Sequence, residues 1–565
     1  FDPSQFENGL YDVAFVVTDV NGLQSSAVAT YRVTGDMKVG NFSFTVEDLS
    51  IPVAGIPITI NRTYDTRKKF RNLDFGYGWS IDYQDVKVEE NIELGLNWTQ
   101  TASGGFFPTY CIEPVGTHLV TVTLPDGRVE EFDMDVSPKC QVLVPLQFTD
   151  PVFNARPGTS STLVAQEVGQ LWYVGGQLLD PGFFEPYDPS VYTLTTAEGY
   201  VYVLDQNFGI RTVTDPNGNT LTYSSNGIIH SSGKSVTFAR DGQGRISRIT
   251  DPNGNFIEYS YNVNGDLESV INQLGENTQH RYNRSHGLTE FIDPRGITPA
   301  RNFYNDAGQL IATEDAEGNR IELTHDIAGR QEVIRDRLGN ITILAYDNNG
   351  FVTAETDALG NTTLYSHDDR GNELSKTDAL GNTVTKTYDI NDNLLTETDA
   401  LGNIISRTYN ARNKLLTITD KNGNVSSNSY DSRGNLTQLT DALGNVISNS
   451  FNSGGNLTSM TDEAGNTTFN TYDASGNKTA ITNPLGHVTT FQYDANGNQT
   501  GNSRTRTDGG VTVAVTTVKV YDGANRLIAE VDGEGNSSAS EYNSVGKLAA
   551  KTDKNGNRTE FEYDS

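Results

Sequence analysis

Cysteine, tryptophan and methionine are scarce in this chain, which has 2, 3 and 3 of them among 565 residues. Two cysteines exclude a small disulfide scaffold, in which cysteine pairs replace a hydrophobic core. No apolar run approaches the roughly 20 residues of a membrane-spanning helix, so the sequence predicts no membrane span. The chain starts at Phe1, and no basic-then-apolar signal segment follows. We therefore expect an internal piece of a longer protein.

Positive charge is also in short supply. Lysine and arginine total 41 against 72 aspartates and glutamates, which gives a formal net charge of -31. This balance excludes nucleic acid as an expected partner, because phosphate binding needs a basic face. Only 35% of the residues are hydrophobic, which would suit a disordered chain. The 26 tyrosines and 24 phenylalanines, many at regular positions, indicate a folded one instead.

Helical periodicity is absent over any useful length, and a fixed repeat takes its place. An aromatic residue or histidine followed by Asp or Asn returns every 21 residues, as at 388, 409 and 430. Half a period later comes a turn marker, often Asp-Ala-Leu-Gly-Asn. A fixed period indicates one supersecondary unit stacked many times. The aromatic marker includes Tyr346, Tyr388, Tyr409, Tyr430, Phe451, Tyr472 and Tyr493, and the turn marker includes Asp357, Asp378, Asp399, Asp420, Asp441 and Asp462.

Each repeat has two strand-length runs separated by two turn clusters, which predicts one β-hairpin per repeat. The predicted fold is all-β, a tandem array of 21-residue hairpins in one antiparallel sheet. A Thr precedes the turn Asp and a small polar residue precedes the aromatic, so neither strand face is continuously apolar. We expect a sheet that tolerates water on both sides.

The repeats do not occupy the whole chain. Two alternating runs, Tyr11–Thr18 and Ala27–Thr34, make residues 1–35 similar to the last hairpin of a bacterial immunoglobulin-like module. Residues 36–210 are β-rich without an exact period, and a Pro- and Gly-rich insertion lies near 150–190. The repeat array is predicted over 211–565, with insertions near 220–250 and 500–518. Cys111 and Cys140 both precede the array; they could form one disulfide or remain two buried thiols.

The alternation of Tyr-Asp, Gly-Asn and Thr-Asp-x-x-Gly-Asn resembles the YD repeats of the Rhs family, over roughly residues 191–565. This family includes bacterial polymorphic toxins, the C component of insecticidal toxin complexes, wall-associated bacterial proteins and the animal teneurins. The segment Ile51–Tyr83 is similar to the one that precedes the repeats in secreted bacterial members. The resemblance implies hairpins wound into a spiralling sheet that closes as a hollow shell, which in toxin members sequesters a C-terminal effector.

The length of the array suggests how far such a sheet would reach. Fifteen repeats give about thirty strands, and at roughly 4.8 Å per strand the sheet would be about 145 Å long, enough for one ring about 46 Å across. A single ring leaves both sheet edges unpaired, which proteins avoid. We therefore expect a partial wall that needs further turns from outside this sequence.

Catalytic motifs are missing from the sequence. His325 and His367 occupy the aromatic position of the repeat and His487 a turn position, which predicts structural roles for all three. Neither a Gly-x-Ser-x-Gly elbow nor a His-Glu-x-x-His pair occurs. In Rhs toxins an Asp-Pro-x-Gly motif belongs to a self-cleaving segment. The same four-residue pattern starts here at Asp215, Asp251 and Asp293, but each copy lies at a repeat turn and lacks the Asp that follows in the family. The sequence therefore predicts a protein that is not an enzyme and needs no cofactor.

The Asp-rich turns leave a calcium scaffold open. Carboxylate and carbonyl oxygens suit this cation, and turns repeated every 21 residues could align them. The alternative is turn chemistry alone, in which Asp or Asn bonds its own backbone and Gly-Asn takes positive φ. Neither the EF-hand spacing nor the nine-residue calcium roll is present.

Two functions remain after these exclusions. The first is a structural β-shell segment of a secreted or surface-exposed bacterial protein, which encloses and presents a C-terminal effector encoded beyond residue 565. The alternative is an extracellular adhesion or wall-associated module that binds carbohydrate or a neighbouring cell.

Overall fold

The computed structural model describes residues 9–18, 24–33, 40–125, 127–166, 169–508 and 511–563. Within these ranges the chain is built from β-strands, and the only helical turns are two short 3-10 turns, Thr66–Lys68 and Asp82–Gln84. The all-β prediction is confirmed. Gly-Asn and Asp-Gly turns between short alternating runs explain the absence of longer helices, because they end each run after five or six residues.

The strands that precede the long sheet, in chain order, are β1 Gly9–Thr18, β2 Gln24–Val33, β3 Ser43–Ile51, β4 Ile58–Asp65, β5 Asn72–Leu73, β6 Gly76–Tyr77, β7 Trp79–Ile81, β8 Lys87–Glu90, β9 Trp98–Ser103, β10 Thr109–Pro114, β11 Leu119–Thr123, β12 Val129–Ser137, β13 Cys140–Val142, β14 Phe148–Ala155, β15 Thr162–Ala165, β16 Leu171–Val174 and β17 Gln177–Leu179. Among them, β15 alone joins the long sheet.

The first half of the long sheet contains β18 Val191–Thr195, β19 Val201–Asp205, β20 Gly209–Thr214, β21 Thr220–Ser224, β22 Gly227–His230, β23 Ser235–Arg240, β24 Ile246–Thr250, β25 Phe256–Tyr261, β26 Leu267–Ile271, β27 Asn277–Tyr282, β28 Leu288–Ile292, β29 Ala300–Tyr304, β30 Leu310–Glu314, β31 Arg320–Asp326, β32 Gln331–Arg335, β33 Ile341–Tyr346, β34 Val352–Thr356 and β35 Thr362–His367.

The second half contains β36 Glu373–Thr377, β37 Thr383–Tyr388, β38 Leu394–Thr398, β39 Ile404–Tyr409, β40 Leu415–Thr419, β41 Val425–Tyr430, β42 Leu436–Thr440, β43 Val446–Phe451, β44 Leu457–Thr461, β45 Thr467–Tyr472, β46 Lys478–Thr482, β47 Val488–Tyr493, β48 Gln499–Asp508, β49 Val511–Tyr521, β50 Leu527–Val531, β51 Ser537–Tyr542, β52 Leu548–Thr552 and β53 Arg558–Glu560.

The long sheet has 37 strands in the order β15, β18 and then every strand to β53, each antiparallel to the next. It starts earlier in the chain than the repeat sequence, because β15 and β18–β20 precede the first Asp-Pro-Asn-Gly-Asn turn. The lead-in strands form smaller sheets beside it: β1–β2, β3–β4–β7, β5–β6, β9–β10–β13 and a six-stranded sheet ordered β17–β16–β14–β12–β11–β8.

A β-bulge recurs next to the aromatic residue in most repeats, although the pair β31–β32 at His325 keeps a continuous register. In the pair β37–β38 the register shifts between Thr387 and Tyr388, and the same shift occurs at Thr408/Tyr409 and Ser429/Tyr430. A bulge bends its strand and increases the local twist. A bend repeated at a fixed interval curves the whole sheet.

Contacts between distant turns show that this curvature closes a ring. The turn between β20 and β21 contacts the turn between β45 and β46, where the Nδ2 of Asn219 donates to the Ser475 carbonyl at 3.0 Å. The turn between β26 and β27 is joined to the one between β51 and β52 by a bond from the Ser544 hydroxyl to the Gln273 carbonyl. Both offsets are 25 strands (45 − 20 and 51 − 26), which at about 4.8 Å per strand corresponds to a ring about 38 Å across.

The expectation of a single ring about 46 Å across is therefore wrong. The sheet closes after 25 of its 37 strands, and the remaining strands lie on the first ones as a second layer. The recurring bulges make the curvature tighter than a count of strands alone could predict.

The hydrophobic core lies between the lead-in region and the first strands of the long sheet. Tyr64, Phe75 and Trp79 are buried there in one cluster with strands of the long sheet from β18, which contains Tyr192, to β28, which contains Leu288. From β31 onward the strands carry few buried side chains among the described residues, with alternating exposed and half-buried positions. The array thus has water on both faces, and its cohesion comes from the ladder, the turns and contacts between neighbouring repeats.

Candidate functional site

Two kinds of turn define the two rims of the wound sheet. We call the five-residue turn after the aromatic position the YD turn (389–393, for example) and the turn after the Thr the TD turn (378–382, for example). In a TD turn the Oδ1 of Asp378 accepts the backbone N–H of Leu380 and of Asn382, and the Nδ2 of Asn382 donates to its Oδ2 at 2.8 Å. Gly381, at φ 86°, closes the turn in a conformation that favours glycine.

These internal bonds use the carboxylates that a calcium scaffold would need. The Asn382 side chain, and then its backbone N–H, lowers the pKa of Asp378. Asp357 and Asp399 have lowered pKa values for the same reason, from Asn361 and Asn403. Within the described residues, no group of three or more His, Cys, Asp or Glu side chains could hold a metal ion. The geometry favours turn chemistry, and the calcium scaffold stays a prediction to be tested.

The repeat tyrosines tie each hairpin to the one before it. The Tyr430 hydroxyl donates to the Leu415 carbonyl at 2.8 Å, 15 residues earlier, and Tyr409 does the same to Leu394 at 3.1 Å. His325 occupies the same position, and its Nε2 lies 2.7 Å from the Leu310 carbonyl, also 15 residues earlier. The His325 imidazole thus makes the hydrogen bond that a tyrosine hydroxyl makes in the other repeats. The same contact is made by Tyr388, Tyr472 and Tyr493.

The Ser and Thr residues pair with each other across strands. Thr387 and Thr396 share a hydrogen bond at 2.6 Å, and Thr408 and Thr417 share one at 2.7 Å. At the TD turns, Thr377 pairs with Thr383 at 2.9 Å. Cross-strand hydroxyl pairs stabilise a sheet that has little apolar surface to bury.

The two layers meet along a seam, in which YD turns of the second layer lie on TD turns of the first. The Nδ2 of Asn456 donates to the Oδ1 of Asn217 at 2.7 Å. The turns approach each other closely here: a Cβ on Gly454 would lie 2.2 Å from the Asn217 Oδ1, so that side chain would have to move. At the next contact, a Cβ on Gly523 would lie 2.1 Å from the Oδ1 of Asn253. The seam therefore joins turns that are more than 200 residues apart in the chain.

The loop around Pro52–Ala54 forms a wedge in this seam. The Ala54 N–H donates to the Asn496 carbonyl at 2.9 Å, and the Asn525 Nδ2 donates to the Pro52 carbonyl at 2.6 Å. From the first layer, His230 Nε2 lies 3.0 Å from the Ala54 carbonyl while its Nδ1 accepts the Ser232 N–H. Burial lowers the pKa of His230, which favours this neutral tautomer. One loop thus bonds both layers.

The lead-in segment covers the YD rim of the first layer. The Tyr64 hydroxyl donates to the His286 carbonyl and accepts the Leu288 N–H, both at 2.8 Å. Lys69 Nζ donates to the Gly308 carbonyl at 2.9 Å, and the Trp79 indole N–H donates to the Tyr282 hydroxyl at 2.7 Å. Each contact satisfies a turn or strand-end group that would otherwise lie at an open edge.

A buried ion pair anchors this cover. Arg62 and Asp48 are both almost fully buried, and the Arg62 Nε donates to the Asp48 Oδ2 at 2.9 Å. Burial alone would lower the pKa of Arg62, but the Asp48 charge reverses the effect and raises it. The Tyr259 hydroxyl of β25 donates to the same carboxylate at 2.7 Å, so the pair also holds the cover to the sheet.

The aspartates of the three Asp-Pro-x-Gly sequences lie in separate turns. Asp215 and Asp251 accept hydrogen bonds from Asn219 and Asn255 inside their own turns. Asp293 instead pairs with Arg295 at 2.7 Å. The charge of Asp215 reaches His230, but the hydrogen bonds to the Asp215 carboxylate come from its own turn. The structure joins Cys111 and Cys140, which lie opposite each other on β10 and β13 and form a disulfide.

The seam could not be predicted from the residues of the turns. Asn217 and Asn253 occupy the third position of TD turns in the seam, but Asn422 occupies the same position in an exposed turn, and Leu274 occupies it in a turn that Ser544 contacts. Leu359, Leu380 and Leu401 occupy that position on the uncovered rim and are 88–89% exposed.

Comparison with known proteins agrees with the repeat assignment. The RHS Repeat family matches residues 304–341, 346–383, 367–404, 409–446, 451–487 and 472–512, and a domain of unknown function (DUF6531) matches residues 36–104. No curated protein matches the chain. No helix in the described part of the chain is long and apolar enough to cross a membrane.

The solved structures that match this chain include toxin assemblies and one porin-like protein. The TcdB2-TccC3-TEV crystal structure is 14% identical with a TM-score of 0.37, over 79% of this chain and 29% of that one. The Photorhabdus luminescens Tc holotoxin pore with a mutated TccC3 is 15% identical with a TM-score of 0.28, over 79% and 29%. A porin-like protein from Bacteroides uniformis is 14% identical with a TM-score of 0.11, over 46% and 92%.

This chain spans about 29% of the length of the Tc chains that it matches, and TM-scores below 0.5 support no further conclusion. The six RHS matches fall on the hairpins whose tyrosines, bulges and paired turns are described above. The part of the array that these matches cover, between residues 304 and 512, therefore consists of RHS repeats.

Proposed function

We propose that this chain is a wall segment of a β-shell that encloses and presents a polypeptide effector, encoded C-terminal to the repeats in a longer bacterial protein. The protein would be secreted or displayed at the cell surface, and its wall would have no enzymatic activity and no cofactor. The effector or core segment of the same polypeptide would be its partner. A net charge of -31 disfavours a nucleic acid in that role.

The observation that carries the proposal is the closure of the sheet. The bonds between Asn219 and Ser475 and between Asn456 and Asn217 join turns 256 and 239 residues apart. Only a sheet that winds back onto itself brings such turns together, and a wound sheet has an inside. The lead-in cover on the first rim supports the same conclusion, because an adhesion surface would not need a covered rim.

The test is protease protection of the full-length protein, purified from culture medium. An enclosed effector resists limited proteolysis, and opening the seam with the double variant Asn219→Ala/Asn456→Ala should expose it. Asn382→Ala is the matched control, because Asn382 makes the same bond inside its TD turn without a bond to another layer. We expect cleavage of the C-terminal region to increase by up to about thirtyfold in the double variant, because it loses two seam hydrogen bonds of about 1 kcal/mol each, and to stay unchanged in the control.

A C-terminal region that is digested equally fast in all three proteins would contradict enclosure. A cryo-EM map of the same protein provides the second readout, in which density inside a closed wall supports the proposal and an empty, open sheet refutes it. Binding of the 565-residue chain to glycans or cells, together with an open sheet, would establish the adhesion alternative instead.

A further inference from the structure

Two loops of the lead-in region form an apolar projection, which we call the Phe tip (residues 104–108 and 142–145). The first loop joins β9 to β10, and the second follows β13, the other neighbour of β10 in the same three-stranded sheet. The Leu143 N–H donates to the Pro108 carbonyl at 2.8 Å, which places the loops side by side. The Cys111–Cys140 disulfide crosses the same two strands at the base.

The apolar side chains of the Phe tip face solvent. Phe106 is 93% exposed, Phe107 65%, Leu143 56% and Val144 51%. The two phenylalanine rings contact each other edge to face at 5.2 Å. Isolated exposed apolar residues are ordinary on protein surfaces, but a contiguous group on adjoining loops marks an interaction site.

Charge is absent from the whole projection. Residues 94–112 and 140–149 contain no Asp, Glu, Lys or Arg, in a chain where these make up 20% of residues. The nearest charges, Glu113 and Lys139, lie beyond the disulfide and pair with each other at 3.0 Å. Charged groups therefore stop at the base of the Phe tip.

The backbone holds one of these side chains outward at a cost. Leu143 has φ 75°, in the left-handed region that bulky residues rarely adopt. Neither the strained backbone nor the exposed side chain of Leu143 stabilises the fold. Strain of this kind is typical of positions that are kept for an interaction.

We propose that the Phe tip inserts into the interfacial layer of a zwitterionic lipid bilayer. Aromatic side chains concentrate at this layer, and the absence of charge removes the penalty for burying an ionised group there. The net charge of -31 would repel a strongly anionic surface, which specifies the zwitterionic kind. A surface that binds a protein usually has a polar rim that forms hydrogen bonds. The side chains of these two loops are mostly apolar, so the Phe tip lacks such a rim.

The inference goes beyond the proposed function and does not depend on it, since a membrane contact needs no enclosed effector. Co-sedimentation of the full chain with phosphatidylcholine vesicles tests it. We expect Phe106→Ser/Phe107→Ser to weaken partitioning by about tenfold or more, because two exposed rings no longer leave water. Leu359→Ser/Leu380→Ser is the matched control, with two equally exposed apolar residues on the TD rim, and should bind like the wild type.

A second measurement locates the contact. The single variant Phe106→Trp should show tryptophan fluorescence that is quenched by lipids brominated in the acyl chain, and Leu380→Trp should not. Disulfide formation and circular dichroism confirm that each variant is folded. The proposal is overturned if both double variants bind vesicles equally, or if the Trp at position 106 stays unquenched on bound vesicles. It is also overturned if the chain ignores vesicles and self-associates through the Phe tip, which would assign the projection to a protein contact.

Discussion

The repeat tyrosine offers the sharpest test of how the array holds together, and Tyr430 is the most suitable example. Its ring is half-buried between hairpins, and its hydroxyl donates to the Leu415 carbonyl at 2.8 Å. The same carbonyl also accepts the Asn428 Nδ2 at 3.1 Å. Two substitutions separate the ring from the hydroxyl: Tyr430→Phe removes the bond alone, and Tyr430→Ala removes both.

The magnitudes follow from these contacts. A neutral hydrogen bond contributes about 1 kcal/mol, and because Asn428 still serves the carbonyl, Tyr430→Phe should cost about 0.5–1 kcal/mol. Truncation of a fully buried aromatic costs about 3–5 kcal/mol, so the half-buried Tyr430→Ala should cost about 2 kcal/mol. These losses correspond to roughly a two- to fivefold and a thirtyfold increase in local opening.

Native-state hydrogen exchange is the appropriate assay, because a repeat array loses stability locally. Protection should fall in β39–β42 and stay unchanged in β51–β53. Phe451→Tyr is the reverse experiment, since Phe451 occupies the same position and the Leu436 carbonyl already accepts the Asn449 Nδ2 at 3.0 Å. Its added hydroxyl should raise local protection by a similar two- to fivefold factor. Unchanged exchange in Tyr430→Ala would refute the idea that the tyrosines join neighbouring repeats.

Two further predictions concern ionisation and metal. Burial, which exceeds the favourable bonds from Tyr192 and Gln206, raises the pKa of Glu90 to about 8. The folded state then keeps a proton that the unfolded state loses, so stability falls as pH rises from about 4.5 to about 8 and levels off above. Glu90→Gln should flatten urea midpoints measured across this range, and exposed Glu355→Gln should not; parallel profiles in all three would contradict the assignment. For calcium, the TD-turn carboxylates already accept bonds from their own turns. We expect the melting temperature to be the same in millimolar Ca²⁺ and in chelator, and a rise with Ca²⁺ would establish the scaffold instead.

The sequence predicted most of the local structure of the array, because local chemistry decides it. Asp378, Gly381 and Asn382 form their turn through hydrogen bonds within five residues. The residue types alone are therefore sufficient to predict this turn. The 21-residue step of Tyr388 and Tyr409 likewise required one hairpin per repeat, as the strand pairs β37–β38 and β39–β40 confirm. The segment near 500–518 lies on β48 and β49, which form one long hairpin with a continuous register.

Contacts that the sequence did not reveal are those between distant segments. The tyrosine hydroxyl reaches a carbonyl 15 residues back, on the neighbouring strand, and this contact depends on the bend and twist of the sheet. The closure after 25 strands depends on the sum of many such bends, and a small error in each would change the ring. The Asn219–Ser475 bond and the Ala54 wedge exist only once the ring is closed.

The sequence by itself determined that this chain is an all-β array of Rhs/YD hairpins with structural histidines and self-satisfied turns, because each of these features depends on residues within one repeat or its neighbour. The tertiary structure alone decided that the array overlaps itself, that the lead-in segment covers one rim, and that Phe106 and Leu143 meet on one projection. These features join residues that the chain separates by tens to hundreds of positions, and nothing in the local chemistry of a repeat specifies which distant turn it will contact.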